Sequence, residues 1–124
     1  MADFEKDLLT EKIIACCFKV HRDLGPGFPE KIYQRALQML FEIENIRFVA
    51  QKEYEVFFEY KKVGIFRCDL VVKENVIVEL KSVTGKMPML FRNQLISYLR
   101  ASRIKTGLLV NFGNLSCDIK RVSV

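Results

Sequence analysis

The beginning of the chain has the apolar spacing of helices. In the first helix, apolar side chains recur three or four residues apart, at Leu9, Ile13, Cys16, Val20 and Leu24. Thr10 has the position of an N-cap, with Leu9 placed to pack against Ile14 in a hydrophobic staple. Gly25 is expected to end this helix, because glycine readily adopts the left-handed conformation that follows a helix.

Two more helices are predicted. One runs from Pro29, which suits a first helical position, to about Glu44. Its buried stripe is expected to comprise Ile32, Tyr33, Ala36, Leu37, Leu40 and Phe41. The other helix runs from Pro88 to about Ser102.

Aromatic and β-branched residues indicate strands between and after these helices. The predicted strands cover residues 54–60, 63–72, 76–82, 106–112 and 115–122. Turns at 61–62 and 73–75 would make the first three an antiparallel meander. The order α-α-β-β-β-α-β-β predicts an α/β sandwich around a mixed sheet, with a right-handed crossover through the third helix.

Length and composition favour one soluble domain. The chain has 124 residues, of which 50% are hydrophobic and 28% are charged, so we expect a single globular domain over residues 1–124. The apolar stretch at 13–18 is too short to span a bilayer, and the acidic start is unlike a signal peptide. We therefore expect a cytoplasmic protein with no membrane partner.

Neither the cysteines nor the total charge specifies a site. Cys16 and Cys17 are adjacent, Cys68 and Cys117 stand alone, and no CxxC pair suggests zinc, so reduced thiols are expected. The net charge is +5, and residues 63–124 hold ten basic against four acidic side chains. This asymmetry suits a polyanion such as nucleic acid, although a solvated basic face would look the same.

An acidic residue and an acid-x-lysine triplet lie inside two neighbouring apolar strands. They are Asp69 on the second strand and Glu79-Leu80-Lys81 on the third. Side chains alternate along a strand, so Glu79 and Lys81 share a face, and pairing would bring Asp69 within reach of Glu79. Carboxylates are natural ligands of Mg²⁺ or Mn²⁺, which assist attack of water on a phosphate. The alternative is a self-contained pair between Lys81 and a carboxylate at the rim of the sheet.

Gln94 and Tyr98 lie four residues apart on the third predicted helix, hence on one helical face. They could point over the acidic edge of the sheet and hold a nucleic-acid backbone or the attacking water. An ordinary amphipathic helix edge would have the same spacing.

Asp, Glu-x-Lys and Gln-x-x-x-Tyr in this order resemble the signature of the PD-(D/E)xK nuclease superfamily, in its RecB-like branch. Residues 20–33 are similar to the motif that names the GxxExxY family, here carried by Gly27, Glu30 and Tyr33. The segment Gly107-Leu108-Leu109-Val110-Asn111-Phe112-Gly113 resembles that family's ending. The resemblance covers nearly the whole chain and implies a restriction-endonuclease-like α/β/α sandwich with a central mixed sheet.

The resemblance also implies roles for residues. Asp69 and Glu79 would be metal ligands and Lys81 the catalytic lysine, with Mg²⁺ or Mn²⁺ as cofactor. Glu30 would be an additional acidic ligand, or else a carboxylate that only favours the helix start. Gln94 and Tyr98 would position the substrate.

The chain departs from the family pattern at two places. Cys68 stands where the superfamily name suggests a proline, and the segment 87–93 lacks the His-Glu pair that GxxExxY relatives often carry before the glutamine. His21, the one histidine, is favoured as a structural residue over a metal ligand.

Three functions are compatible with the sequence. The leading hypothesis is a metal-dependent nuclease, with DNA favoured over RNA as substrate. The others are a nucleic-acid-binding module without catalysis and a protein-interaction module that retains the nuclease fold. A homodimer or a partner protein is plausible in each case, and two-fold junction resolvases offer one enzymatic variant.

Overall fold

The computed structural model describes residues 3–124 and confirms the predicted order of elements. The elements are α1 (Asp3–Leu24), α2 (Glu30–Ile43), β1 (Phe48–Phe58), β2 (Lys61–Val72), β3 (Val76–Lys81), α3 (Met89–Ser102), β4 (Thr106–Asn111) and β5 (Asp118–Ser123). The five strands form one sheet in the order β1-β2-β3-β4-β5. Only β3 and β4 pair in parallel, so the sheet is mixed, as predicted.

Helices cover both faces of the sheet. One core lies beneath α1 and α2, where Ile13 and Leu37 pack against Val78 and Leu80 of β3. A second core lies beneath α3 and includes Ile77, Leu95 and Leu99. The α/β/α sandwich predicted from the sequence is therefore the observed architecture.

The start of α1 was predicted wrongly. Thr10 is not an N-cap: it lies inside the helix, which begins at Asp3, and its hydroxyl donates to the carbonyl of Asp7 over 2.9 Å. Leu9 is buried in the core and forms no staple at a helix start. Acidic Asp3 and Glu5 lie in the first turn, where their negative charges interact favourably with the positive end of the helix dipole. The end at Gly25 is confirmed, with φ at 72° and its N–H donating to the carbonyl of His21.

The first hairpin also differs from the prediction. β1 begins at Phe48, and the turn lies at Glu59 and Tyr60 instead of at residues 61–62. Both turn residues have positive φ, 52° and 65°. Two left-handed residues are typical of a tight hairpin turn, but asparagine and glycine usually mark it in a sequence. Glu-Tyr gave no such signal.

The remaining bounds shift by a few residues. Pro29 is the N-cap of α2 instead of its first residue, and β5 begins at Asp118. The turn predicted at residues 73–75 is confirmed, with Lys73 and Glu74 both at positive φ. Within residues 3–124, no helix is long and apolar enough to cross a membrane. All four cysteines are free thiols.

Strand alternation breaks at Asp69. Leu70 packs beneath α1 and α2, whereas Cys68, two residues earlier, packs beneath α3. Gln51, between the β1 residues that pair with these two, has a left-handed φ of 52°. The side chains of β1 and β2 therefore switch from one face of the sheet to the other at Gln51 and Asp69.

Candidate active site

The two carboxylates sit where β2 and β3 separate. Backbone pairing between these strands covers only the stretch from Leu70 opposite Val78 to Val72 opposite Val76. Beyond it, the N–H of Asp69 donates to Glu79 Oε2 over 2.7 Å, and the N–H of Leu80 donates to Asp69 Oδ2 over 2.8 Å. Each carboxylate is thus held by the backbone of the opposite strand, and the predicted proximity of Asp69 and Glu79 is confirmed.

Glu79 is a buried carboxylate beside a second carboxylate. Its exposed fraction is 5%. Burial first, and the negative charge of Asp69 second, raise the pKa of Glu79 to about 8. Among residues 3–124, neither carboxylate lies within 4.0 Å of a cationic side-chain nitrogen. The alternative of a self-contained pair with Lys81 is therefore not the observed arrangement.

Lys81 ends β3 beside these carboxylates. Its Nζ lies 4.4 Å from the centre of the Phe91 ring on α3, a cation–π contact. Its positive charge acts against the increase in the pKa of both Glu79 and Glu30. Lys81 is thus close enough to act on the site electrostatically, while its ammonium group forms no ion pair with any residue of 3–124.

Glu30 lies at the start of α2, across an open groove of about 440 Å³ that also contains Gln34, Gln51 and Asp69. Burial raises its pKa, Lys81 opposes this, and Asp69 adds to it. In the described part of the chain, however, no three His, Cys, Asp or Glu side chains are arranged to hold one metal ion. Glu30 therefore belongs to the same electrostatic environment without completing a preformed three-ligand set.

Tyr98 reaches the site from α3. Its ring stacks on Phe66 with centres 4.3 Å apart, and burial followed by the charge of Glu79 raises its pKa. Gln94, one helical turn earlier, is half-buried, and its side chain makes no hydrogen bond within residues 3–124. The structure thus places Tyr98 near the carboxylates, whereas Gln94 is placed on the same helix without a contact to them.

A family model described as the PD-(D/E)XK nuclease superfamily matches residues 7–122. The chain belongs to this superfamily. The fold agrees, since the crystal structure of SSO0001 superposes with a TM-score of 0.58 over 75% of this chain, at 18% identity. The matched region is 48% of that chain, so this protein spans about half of its length. No curated protein gives a significant match.

Superfamily membership accounts for the donor set of the site. PD-(D/E)XK nucleases generally use divalent metals such as Mg²⁺, and their substrates are nucleic acids. Mg²⁺ in proteins is commonly bound by one or two carboxylates, with water and substrate phosphate supplying the rest. Asp69 and Glu79 offer this chemistry, because both are hard oxygen donors and no described cation neutralises them. The residues present fit such an ion.

Gln51 is a site residue that the sequence did not indicate. Its amide nitrogen lies 3.3 Å from Asp69 Oδ1 and 3.0 Å from Gln34 Oε1, so it links the carboxylate to α2. A left-handed residue within a strand leaves no mark in the alternation of apolar positions. No sequence signal could have found it.

His21 has the structural position that the sequence favoured. It is buried at the end of α1, and its Nε2–H donates to the carbonyl of Asn114 over 2.8 Å. Its ring also stacks near Phe112. This hydrogen bond ties α1 to the segment after β4.

Proposed function

We propose that this protein is a metal-dependent nuclease that hydrolyses phosphodiester bonds, with DNA favoured over RNA. The observation that carries the proposal is the pair Asp69 and Glu79, which is fixed by backbone N–H groups at the strand split and has no described cationic partner. Glu79 is buried, so ionising it is costly without a counter-ion. Superfamily membership supports a nucleic-acid substrate.

Asp69 and Glu79 would hold one Mg²⁺ or Mn²⁺, which supplies Lewis-acid stabilisation to the phosphoryl group. Water would attack phosphorus in line and release a proton to solvent, the bond from phosphorus to the leaving oxygen would break, and that oxygen would take up a proton from solvent. Lys81 stabilises the negative charge that develops on the phosphoryl oxygens and orients the water. Glu30 is the additional acidic group at the edge of the site, and Gln94 and Tyr98 position the nucleic-acid backbone.

The finer classification is part of the proposal. Gly27, Glu30 and Tyr33 support assignment to the GxxExxY family, and Gln94 with Tyr98 supports the RecB-like branch. A single domain over residues 1–124, a cytoplasmic location and a homodimer or partner protein stay predictions.

One observation favours a second candidate, a nucleic-acid-binding module without catalysis. Within residues 3–124 no three potential ligand side chains are preformed around a metal position. Such a module would bind nucleic acid in a salt-sensitive manner, with or without the two carboxylates. Cleavage therefore separates the candidates.

The decisive experiment compares two lysines in similar triplets. Lys81→Ala should lower cleavage of plasmid and oligonucleotide DNA in Mg²⁺ or Mn²⁺ by about 10²-fold or more, because a stabilising charge at the phosphoryl group is lost. Lys120→Ala is the control, since Asp118-Ile119-Lys120 repeats the acid-x-lysine pattern on edge strand β5, where Lys120 is exposed. Equal cleavage by parent and Lys81→Ala would contradict the assigned role of Lys81.

A further inference from the structure

A second groove adjoins the carboxylate site. It has a volume of about 630 Å³, and its lining includes Phe28, Pro29, Glu30 and Ser82. Pro29 and Glu30 also line the groove that contains Asp69, so the two grooves lie side by side. Ser82 directly follows Lys81 in the chain. A polymer bound at the carboxylates would therefore have this groove as an immediate neighbour.

The groove wall that carries Phe28 is held in place by hydrogen bonds to Tyr33 of α2 and to Ser82, the second residue after Leu80. The hydroxyl of Tyr33 donates to the carbonyl of Gly25 over 2.6 Å and accepts the N–H of Phe28 over 3.2 Å. Tyr33 is fully buried and stacks on Phe112 with ring centres 4.4 Å apart. The hydroxyl of Ser82 donates to the carbonyl of Phe28 over 2.8 Å, which ties this wall to the strand that bears Glu79.

The opposite wall is held by asparagine side chains. The amide of Asn111 accepts the N–H of Val83 and donates to its carbonyl, each over 2.9 Å. Asn114 does the same for Gly85, over 2.7 and 2.8 Å. Gly113 packs against the backbone of Val83 so closely that a Cβ on residue 113 would overlap the Val83 carbonyl oxygen. Both walls are therefore preformed, which lowers the entropy cost of binding a ligand between them.

Phe28 lines this preformed groove and is an exposed aromatic residue whose ring meets Tyr33 edge-on, with ring centres 6.2 Å apart. Its exposed fraction is 42%, although its backbone is fixed on both sides. Aromatic rings beside a phosphate site suit stacking with a nucleobase, which contributes about 1–3 kcal/mol per base. We propose that the groove receives the nucleotide next to the cleaved phosphate, with its base stacked on Phe28. The proposal rests on the nuclease function proposed above.

The roles of the GxxExxY residues follow from this geometry. Gly27 has a φ of 109°, a conformation that favours glycine, and allows the tight turn before Phe28. The hydroxyl of Tyr33 fixes that turn by its hydrogen bond to Gly25, and Glu30 lines both grooves. The motif thus builds the nucleotide subsite and joins it to the metal site.

The test measures binding of a short single-stranded oligonucleotide that carries 2-aminopurine, in the Lys81→Ala background to suppress cleavage. Phe28→Ala should weaken binding about tenfold or more, since one stacking interaction is lost. Phe28→Tyr should retain the affinity and the stacking quench of 2-aminopurine. Phe57→Ala is the matched control, because Phe57 is a 60% exposed aromatic near the tip of the β1–β2 hairpin.

Each outcome decides a different point. Affinity lost in Phe28→Ala and kept in Phe57→Ala supports the subsite, provided that Phe28→Ala unfolds in urea as cooperatively as the parent, and retention in Phe28→Tyr shows that an aromatic ring is what the subsite requires. Unchanged affinity in Phe28→Ala, or equal losses in both alanine variants, overturns the subsite while leaving the nuclease proposal intact. Absence of binding by the parent and Lys81→Ala proteins at low salt would overturn both.

Discussion

Burial of Glu79 costs free energy that the residues around it do not offset. Its carboxylate accepts one backbone N–H, but Asp69 adds negative charge nearby and the Lys81 ammonium contacts the Phe91 ring. The same arrangement is favourable once a divalent cation is bound, because the cation stabilises both carboxylates. Under the proposed function, Glu79 would therefore lower the stability of the metal-free protein and raise its affinity for the metal.

This exchange predicts a pH-dependent effect of Glu79→Gln on the metal-free protein. The folded protein keeps a proton on Glu79, whose pKa is raised from 4.5 to about 8, whereas the unfolded chain releases it. The free energy of unfolding should therefore fall as pH rises from 4.5 to 8 in the parent. Glutamine has no proton to lose, so the free energy of unfolding of the variant relative to that of the parent should rise by on the order of 4 kcal/mol between pH 4.5 and pH 8.

Urea unfolding with a chelator present, at several pH values, measures this difference. Exposed Glu42→Gln serves as the control and should follow the parent at every pH. The contradicting result would be a difference in the free energy of unfolding between the parent and Glu79→Gln that stays constant from pH 4.5 to 8. It would show that the fold does not disfavour the ionised form of Glu79.

At the scale of elements, the β1–β2 hairpin determines where Asp69 lies. Gln51 in β1 has a left-handed φ, and the hairpin changes faces at this level, which brings Asp69 to the edge of β3. At the far end, Glu59 and Tyr60 form a tight turn with positive φ at both residues. This conformation is costly for residues with a side chain.

The turn therefore predicts a stabilising substitution. Replacing Glu59 by Asn and Tyr60 by Gly should raise the free energy of unfolding by about 1 kcal/mol, because both residues tolerate positive φ. Little packing is lost, since Tyr60 is 99% exposed. Glu44→Gly, at a φ of −86°, is the control and should give no gain. A loss of stability in the turn variant, measured by urea unfolding, would contradict this account of the turn.

The sequence predicted the elements whose signals are local and regular. Apolar periodicity located all three helices, and the short connection between β2 and β3 placed Asp69 beside Glu79. The start of α1 was missed because Thr10 looked like a cap, although its hydroxyl bonds back to Asp7 within the helix. Gln51 was missed because its contacts depend on one left-handed residue inside a strand, and no alternation pattern records backbone φ.

At the scale of the whole molecule, charge is unevenly distributed along the chain. Residues 63–124 carry a net charge of +6, and they include β3, which ends at Lys81, together with α3, β4 and β5. A basic half of the chain suits attraction of a polyanion, which the proposed metal site at Asp69 and Glu79 would cleave.

This charge distribution predicts salt-sensitive binding of nucleic acid. The affinity of the Lys81→Ala protein, in which cleavage is expected to be lowered, for duplex DNA should fall steeply between about 50 and 200 mM salt, because bound counter-ions are released on association. Fluorescence anisotropy at several salt concentrations measures the slope, with a neutral polymer of similar length as control. An affinity independent of salt would contradict electrostatic recognition of a polyanion.

The most direct test of the metal site is a calorimetric titration of the metal-free protein with Mn²⁺. We predict one bound ion per chain, with binding lost in Glu79→Ala and retained in Asp118→Ala, which changes the acid of the exposed triplet on β5. Binding should also release a proton near pH 7, since the pKa of Glu79 is about 8 before the ion is bound. Equal binding by the parent and Glu79→Ala, or no binding by the parent, would contradict a metal site at Asp69 and Glu79.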